Sequence, residues 1–252
     1  MLQQVYVKID SPTIPMDLYR KSAITVGILF LAALILNLIA SGMLNPILDN
    51  SEYLHHAYPN KDKIILANLL NFICAIAMIF IPIALFPVVK ERFKSLASAY
   101  IVFRALEGVL FIYLAIQTLS FISLSRAFIQ ADSLSIAALQ AIGESVQAEI
   151  YWATVIYIIV FSLGGATFYY LLCKSKLVPR LLSIWGFLAI ALLLVGAILA
   201  IFGLGLFNHM PLMKGMSFFA PPIALNELVL GIWLIAKAYN TRVVPPSHLQ
   251  KI

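Results

Sequence analysis

The sequence contains few charged residues. Asp, Glu, Lys and Arg together make up 11% of the 252 residues, whereas apolar residues make up 62%. Water-soluble domains carry roughly a quarter charged residues, so this composition excludes an ordinary soluble domain. The net charge of +6 does not indicate a nucleic-acid partner, because the basic residues flank apolar segments instead of forming one basic face. The composition indicates a membrane protein whose main partner is the lipid bilayer.

Cysteine and histidine are also scarce, and neither is placed for chemistry inside a membrane. Cys74 and Cys173 lie at different depths of two apolar segments, which argues against a disulfide. All four histidines lie outside the apolar segments. The chain has no phosphate-binding loop, no dinucleotide fingerprint, no nucleophile elbow and no convincing metal-ligand spacing. We therefore expect no catalytic residue, no metal and no cofactor, and the sequence disfavours an enzyme.

Six apolar segments are each long enough to cross a bilayer, which takes about 20 mostly apolar residues. They cover residues 22–44, 64–86, 96–121, 150–173, 180–207 and 217–238. Their continuous apolar character, without strand-like alternation, predicts helices. The predicted fold is all-α: a polytopic membrane protein with a six-helix transmembrane bundle over 22–238. An arm over 1–21 precedes the bundle and a tail over 239–252 follows it.

The long connection between the third and fourth helices contains a further helical pattern. Leu134, Ala138 and Ile142 recur every four residues, and Asp132 or Ser133 can cap this segment. We predict either a short helix over 133–148 on the outer membrane interface, or a partly buried connector that packs over the bundle.

The basic residues predict the orientation of the bundle, because cytoplasmic loops carry an excess of Lys and Arg. Twelve lie in the two termini and in the loops at 87–95 and 174–180: Lys8, Arg20, Lys21, Lys90, Arg92, Lys94, Lys174, Lys176, Arg180, Lys237, Arg242 and Lys251. Four lie on the other side: Lys61, Lys63, Arg126 and Lys214. Both termini are therefore predicted to be cytoplasmic, which makes the chain a multi-pass protein of the cytoplasmic membrane.

Three charged residues interrupt the predicted spans. Arg104 and Glu107 lie in the third helix and Glu227 in the sixth. A charge near the middle of a spanning helix costs roughly 2.5–3.5 kcal/mol on insertion scales, so such residues pair, face the protein interior or act on something that crosses the membrane. At 1.5 Å per residue, Glu107 and Glu227 come to similar depths. We predict that the two helices share the arginine between both carboxylates.

Other polar residues extend this candidate binding site. Tyr100 lies on the helix face of Arg104 and Glu107, and Asn226 precedes Glu227. Asn37, Asn68 and Asn71 lie nearer the outer side, where Asn37 and Asn71 are at similar depth and can bond across the bundle. Ala220, Ala224 and Gly231 surround Glu227 at helical spacing, so a neighbouring helix can approach closely there.

The order of motifs in this sequence resembles the order found in a known family. The motifs are a basic pair before the first helix, Asn68 and Asn71, Arg-Ala-Leu-Glu at 104–107, Lys-Leu-Val-Pro-Arg at 176–180, and Asn-Glu-x3-Gly-x-Trp-Leu-Ile-x-Lys at 226–237. The chain is similar over nearly its whole length to bacterial membrane proteins of the domain of unknown function 4386 family. The resemblance implies a six-helix integral membrane protein and draws attention to Arg104, Glu107 and Glu227. It implies no activity.

Three functions remain open from the sequence. The first is a membrane protein whose Arg/Glu/Glu core moves or senses a small solute or ion, as in a transporter. The second is a structural or partner-binding subunit whose charges only lock the helix packing. The third is an intramembrane enzyme acting on a lipid-like substrate, with a buried Glu as acid or base.

Overall fold

The computed structural model describes residues 16–208 and 215–240, and every regular element in this part of the chain is helical. The elements are α1 (Met16–Leu48), α2 (Tyr53–His56), α3 (Lys61–Ile129), α4 (Ile136–Ser175), α5 (Arg180–Ile201), a 3-10 turn (Gly205–Asn208) and α6 (Pro221–Lys237). The predicted all-α fold is confirmed. Residues 1–15 of the predicted arm and 241–252 of the predicted tail lie outside the described residues, whereas residues 16–21 of the arm are the first part of α1.

The helix α3 consists of two halves that fold back on each other. Its backbone leaves the helical conformation at Phe93, with φ −132° and ψ 38°. A Cβ atom built on Gly108, in the second half, would lie 2.6 Å from Cδ1 of Ile79 in the first half. These residues would be roughly 40 Å apart along one straight helix, so the halves must lie side by side. The two predicted helices on either side of the 87–95 loop are therefore both present.

The described helices have the length and surface of a membrane protein. Four of them, α1, α3, α4 and α5, are long enough and apolar enough to cross a membrane. Large apolar side chains are exposed on every long helix, among them Leu38, Val109 and Leu188. An exposed apolar surface of this extent is unfavourable in water and suited to lipid. The shorter α6 has 17 residues, or about 26 Å of helix.

Several helix boundaries differ from the sequence prediction. The first helix runs over Met16–Leu48 instead of 22–44, and the sixth begins at Pro221 instead of 217. The segment over 133–148 is helical, but α4 runs without interruption from Ile136 to Ser175, so it is an extension of the fourth helix rather than a separate one. The fifth helix was predicted to reach residue 207 and ends at Ile201. Gly203 and Gly205 have positive φ values of 59° and 62°, which end the helix because the left-handed conformation cannot continue it.

The helices pack as a ring in which each long element touches two neighbours. α1 contacts α3 and α6, α4 contacts α3 and α5, and α5 contacts α6. The largest apolar core lies between α1, α3, α4, α5 and α6, and includes Phe30, Tyr100, Phe168 and Leu230. The polar residues predicted for the third and sixth helices therefore lie on elements that surround one common interior.

The basic segments gather at one end of the bundle, called the basic end below. Tyr19, at the start of α1, interacts with Arg92 at the reversal of α3. The backbone N–H of Asn240, after α6, donates a hydrogen bond of 2.8 Å to the Leu177 carbonyl between α4 and α5. The opposite end, called the α2 end, contains α2, both ends of α3 and the start of α4. There the Ser125 hydroxyl donates to the Leu54 carbonyl at 2.5 Å.

We expect Asp132 to stabilise the start of α4. Its carboxylate accepts a hydrogen bond of 3.0 Å from the Ser135 backbone N–H, and the bonds from Ser135 lower the pKa of Asp132 below its usual value. A lowered pKa means that the stabilisation is complete above the usual Asp pKa and is lost as the pH falls through the lowered value. Asp132→Ala should speed amide hydrogen exchange over 135–139 at neutral pH. Equal exchange in both proteins at neutral pH would contradict this.

Candidate functional site

A buried ion pair lies at the centre of the candidate site. Nη1 of Arg104 donates to both carboxylate oxygens of Glu107, at 2.9 and 3.1 Å. The side chains are each only 2% exposed. The two residues are three positions apart on the second half of α3, a spacing that places them on one helix face. The predicted pairing of Arg104 and Glu107 is confirmed.

Aromatic rings enclose the guanidinium. Nε of Arg104 donates a hydrogen bond of 3.1 Å to the Tyr100 hydroxyl. The guanidinium carbon lies 5.3 Å from the ring centre of Tyr100 and 5.3 Å from that of Phe161 on α4. The Tyr100 ring in turn stacks on Phe168, with centres 5.0 Å apart. The Tyr157 hydroxyl, also from α4, interacts with the Glu107 carboxylate. The hydrogen bonds and ring contacts of Arg104 in the described part of the chain thus come from α3 and α4.

Glu227 is near this pair but not bonded to it. The carboxylate interacts electrostatically with Arg104 and Glu107. Among the residues that the structure describes, however, it forms no ion pair within 4.0 Å. The prediction that one arginine bridges both carboxylates is therefore wrong: the ion pair of Arg104 within 4.0 Å goes to Glu107 on its own helix. Glu227 is half-buried, whereas Arg104 and Glu107 are fully buried.

Close contact between α1 and α6 sets the position of Glu227. A Cβ atom on Gly27 would lie 2.7 Å from the Gly231 carbonyl oxygen, so the two backbones touch one turn beyond Glu227. The predicted close approach at Gly231 is confirmed, and α1 is the helix that approaches. On the adjacent face, Nδ2 of the fully buried Asn226 donates a hydrogen bond of 3.0 Å to the Leu182 carbonyl of α5. These contacts orient Glu227 toward the interior.

Several buried polar atoms on α4, α5 and α6 lack partners among the described residues. They are Oη of Tyr169 on α4, Oγ of Ser183 on α5 and Oδ1 of Asn226 on α6. All three residues are at most 2% exposed, and Tyr169 interacts electrostatically with Glu227. Buried polar groups are normally hydrogen-bonded to protein or water. This set therefore has hydrogen-bonding capacity for water or a small polar solute, and Tyr169 is the member that interacts with Glu227.

The three predicted asparagines do not form one group with the charged residues. Asn68 is buried, and its amide donates to the Ile64 carbonyl of its own helix at 2.8 Å. Oδ1 of Asn71 is buried without a hydrogen bond. In the described part of the chain, the hydrogen bond predicted between Asn37 and Asn71 is not formed. Asn37 is half-buried on α1. Asn68 has a local role, and Asn71 keeps an unused acceptor.

The family comparison agrees with the resemblance stated from the motifs. The model of the family described as domain of unknown function 4386 (DUF4386) matches residues 25–238. The chain belongs to this family. No curated protein and no solved structure matches this chain. The matched region begins in α1 and ends directly after α6, so it contains every residue of the candidate site.

In this DUF4386 chain, α4 and α5 contribute residues to the candidate site that the sequence analysis did not predict. Tyr157, Phe161, Tyr169 and Ser183 all lie in apolar runs, where an aromatic or a serine is ordinary. Their one sequence signal is spacing: Tyr157 and Phe161 are four residues apart, on one face of α4. That spacing does not tell which neighbouring helix the face meets.

The DUF4386 site can exchange a proton or hold a small polar solute. Arg104 and Glu107 neutralise each other, which leaves Glu227 as the nearby group whose charge can change. In the described residues, no group of three or more His, Cys, Asp or Glu side chains is placed to hold a metal ion. Tyr169, which interacts electrostatically with Glu227, has unused hydrogen-bonding capacity, and so do Ser183 on α5 and Asn226 on α6. The arrangement combines one titratable carboxyl with unused polar atoms inside an apolar bundle.

Proposed function

We propose that this chain is a six-span protein of the cytoplasmic membrane in which Glu227 binds and releases a proton while a small ion or solute passes or is sensed. The observation that carries the proposal is that Glu227 has no ion-pair partner within 4.0 Å over residues 16–208 and 215–240, although it interacts electrostatically with the neutralised Arg104–Glu107 pair. Burial disfavours a charged carboxyl that lacks a cationic partner, so such a group can change protonation without breaking a salt bridge.

Six spans are supported by the folded-back α3. Each half of α3, on either side of Phe93, has enough residues for a crossing, and α1, α4, α5 and α6 supply the other four. Pairing of the halves near Ile79 and Gly108 agrees with a reversal at one membrane face. An even number of crossings brings the start of α1 and the end of α6 to the same side.

The basic end supports a cytoplasmic location for both termini. The start of α1, the α3 reversal, the α4–α5 connection and the end of α6 meet there through the Tyr19–Arg92 and Asn240–Leu177 contacts. These are the segments in which most Lys and Arg residues occur, and positive residues favour the cytoplasmic side.

The contacts of Arg104 argue against a clamp between α3 and α6. An ion pair between residues three apart on one helix cannot fix the register of two helices. The only cross-helix contacts of the guanidinium described here go to α4, through the Phe161 ring. A purely structural role therefore accounts for Arg104 and Glu107, but it leaves Glu227 without a function. The transport or sensing role accounts for all three.

The proposal is tested by proton movement in liposomes. The purified protein is reconstituted with an internal pH-sensitive dye, and a potassium diffusion potential drives protons across the membrane. Wild type should acidify the interior faster than protein-free liposomes, and Glu227→Gln should reduce the rate to that of protein-free liposomes. Glu227→Asp should keep part of the rate because it retains an exchangeable proton. Glu149→Gln is the matched control, since Glu149 is exposed and accepts its hydrogen bonds from Tyr113 and Gln117 rather than from Arg104.

Infrared difference spectroscopy tests proton binding at Glu227 separately from proton passage across the membrane. Wild type should show a pH-dependent band from a protonated carboxyl that is absent in Glu227→Gln. Without such a band, proton binding at Glu227 would be wrong. With the band but without faster acidification, proton passage would be wrong and sensing would remain. A Glu227→Gln protein that conducts like wild type would remove Glu227 from the pathway.

A further inference from the structure

An open cleft lies at the basic end, between the start of α1 and the end of α6. Its volume is about 570 Å³, and its lining includes the exposed residues Asp17, Arg20 and Lys237. Two buried tyrosines, Tyr19 and Tyr239, line it as well. A buried carboxyl that exchanges a proton needs a connection to water, and this cleft offers a water-facing surface at one end of the bundle.

Tyr239 lies between this cleft and the interior of the bundle. It lines the cleft, yet it is only 4% exposed and belongs to the same apolar core as Tyr100. Its Oη atom is buried and forms no hydrogen bond among the described residues. It interacts with the Ser22 hydroxyl outside hydrogen-bonding geometry, and Ser22 already donates to the Ala84 carbonyl at 2.5 Å. A buried tyrosine hydroxyl normally has a partner, so Tyr239 keeps an unused donor and acceptor.

The backbone on both sides of Tyr239 holds the residue in this position. Ala238, which follows the last residue of α6, has a φ of 59° and a ψ of −170°. Residues other than glycine rarely adopt such a conformation, and it persists only where the surrounding structure determines it. On the other side, the Asn240 backbone N–H donates to the Leu177 carbonyl at 2.8 Å. The buried position of Tyr239 is therefore a fixed feature of the fold.

Tyr100 connects Tyr239 with the charged residues. The charged or titratable groups that interact with Glu227 come from α3 and α4: Cys74, Tyr100, Arg104, Glu107, Tyr157 and Tyr169. Of these, Tyr100 also interacts with Tyr239. The Tyr100 hydroxyl accepts the Nε–H of Arg104 at 3.1 Å, and a guanidinium can only donate. Tyr100 therefore keeps its own hydroxyl proton for another partner.

We propose that the hydroxyls of Tyr100 and Tyr239, bridged by water, carry the proton between Glu227 and the basic end. This inference rests on the proposed proton exchange at Glu227. When Glu227 releases its proton, the Tyr100 oxygen binds that proton as its own O–H proton leaves, and the same exchange at Tyr239 delivers a proton to water in the cleft. Each O–H bond that breaks is replaced by one that forms. Both rings stay neutral, which suits an apolar interior where a charge is costly.

Tyr239→Phe tests this route, because it removes one hydroxyl and keeps the ring. In the liposome assay it should slow acidification at least about tenfold, since a positioned proton-transfer group is lost. Stability in detergent should not fall, because the removed hydroxyl has no hydrogen bond among the described residues. Tyr19→Phe is the matched control and should keep the wild-type rate. Tyr19 is also buried in the lining of the cleft, but it interacts with Glu91 and Arg92.

A pH jump distinguishes slower proton transfer from a structural effect. The readout is the infrared band of the Glu227 carboxyl, followed over time in the detergent-solubilised full chain. In Tyr239→Phe the band should change more slowly than in wild type but reach the same amplitude at each pH, because a route alters the rate and leaves the equilibrium unchanged. Tyr100→Phe/Tyr239→Phe should be no slower than Tyr100→Phe, since both hydroxyls serve one route.

The outcomes separate this inference from the function on which it rests. If wild type and Tyr239→Phe acidify liposomes equally fast while Glu227→Gln does not, the route is wrong and proton exchange at Glu227 stands. Equal slowing by Tyr19→Phe would also overturn the route, because the shape of the cleft would then be the cause. If wild type does not acidify liposomes, the pH jump decides: a slower band in Tyr239→Phe supports the route, and equal rates overturn it. If wild type has no carboxyl band, both proposals fail.

Discussion

Replacing Arg104 with Met is expected to lower the free energy of unfolding by about 3–5 kcal/mol. The change leaves the Glu107 carboxylate, which is 1% exposed, without its cation. An unpaired buried charge costs more than the pair itself contributes, because the remaining ion has lost its hydration without compensation. Loss of the contacts with Tyr100 and Phe161 adds to this cost. The measurement is unfolding in detergent mixtures of increasing denaturing strength, followed by circular dichroism.

Two further variants show whether the unpaired charge is the cause. Arg104→Met/Glu107→Met should recover most of the lost stability, since apolar replacement of a whole buried pair is often neutral or stabilising. Lys21→Met is the matched control, because Lys21 and Asp17 also form an ion pair on one helix but are largely exposed. That change should cost under about 1 kcal/mol. A similar loss for Arg104→Met and Lys21→Met would contradict the explanation.

Replacing Gly27 with Ala is expected to destabilise the contact between α1 and α6 by about 1–3 kcal/mol. The added Cβ would lie 2.7 Å from the Gly231 carbonyl oxygen and 2.8 Å from Cγ1 of Ile235. The isoleucine can turn away, but the carbonyl belongs to a helix backbone and can only move with α6. Overpacking of this kind strains a well-packed interior. Because α6 carries Glu227, the same variant should also alter proton movement in liposomes.

Gly42 supplies the control for this change on the same helix. A Cβ there would meet no atom within 4 Å among the described residues. Gly42→Ala should therefore leave stability unchanged or raise it by up to about 1 kcal/mol, because alanine favours the helix more than glycine does. The two Gly→Ala changes are predicted to have opposite signs in the same unfolding experiment. A gain in stability for Gly27→Ala would show that the two backbones do not touch.

The charged pair could be predicted because its partners are neighbours in sequence. Arg104 and Glu107 lie three positions apart, and any helix through them puts both side chains on one face. The same argument could not place Glu227, since the rotation of α6 about its axis depends on its contacts with α1 and α5. The depth of Glu227 along its helix could be estimated by counting residues, but its lateral distance from Arg104 could not.

A cavity at the α2 end could not be predicted from the sequence for a different reason. Its carboxylates come from the α1–α2 connection and from α4, and its rings come from α2, α3 and α4. No spacing along the chain links Glu52 with Glu144. Tyr53 likewise looks like an ordinary interfacial aromatic in the sequence. Only the packing of α2 between the ends of α3 and the start of α4 makes these residues neighbours.

The sequence by itself determined the helical class, the apolar segments and the pairing of Arg104 with Glu107. The first two follow from residue composition, and the pairing follows from a separation of three positions within one helix. Where α4 begins, which helix touches Gly231, and which buried hydroxyls lack partners depend on contacts between helices. Such contacts join residues far apart in the chain through side-chain shape, and the one-dimensional pattern of apolar residues is nearly the same for every alternative packing.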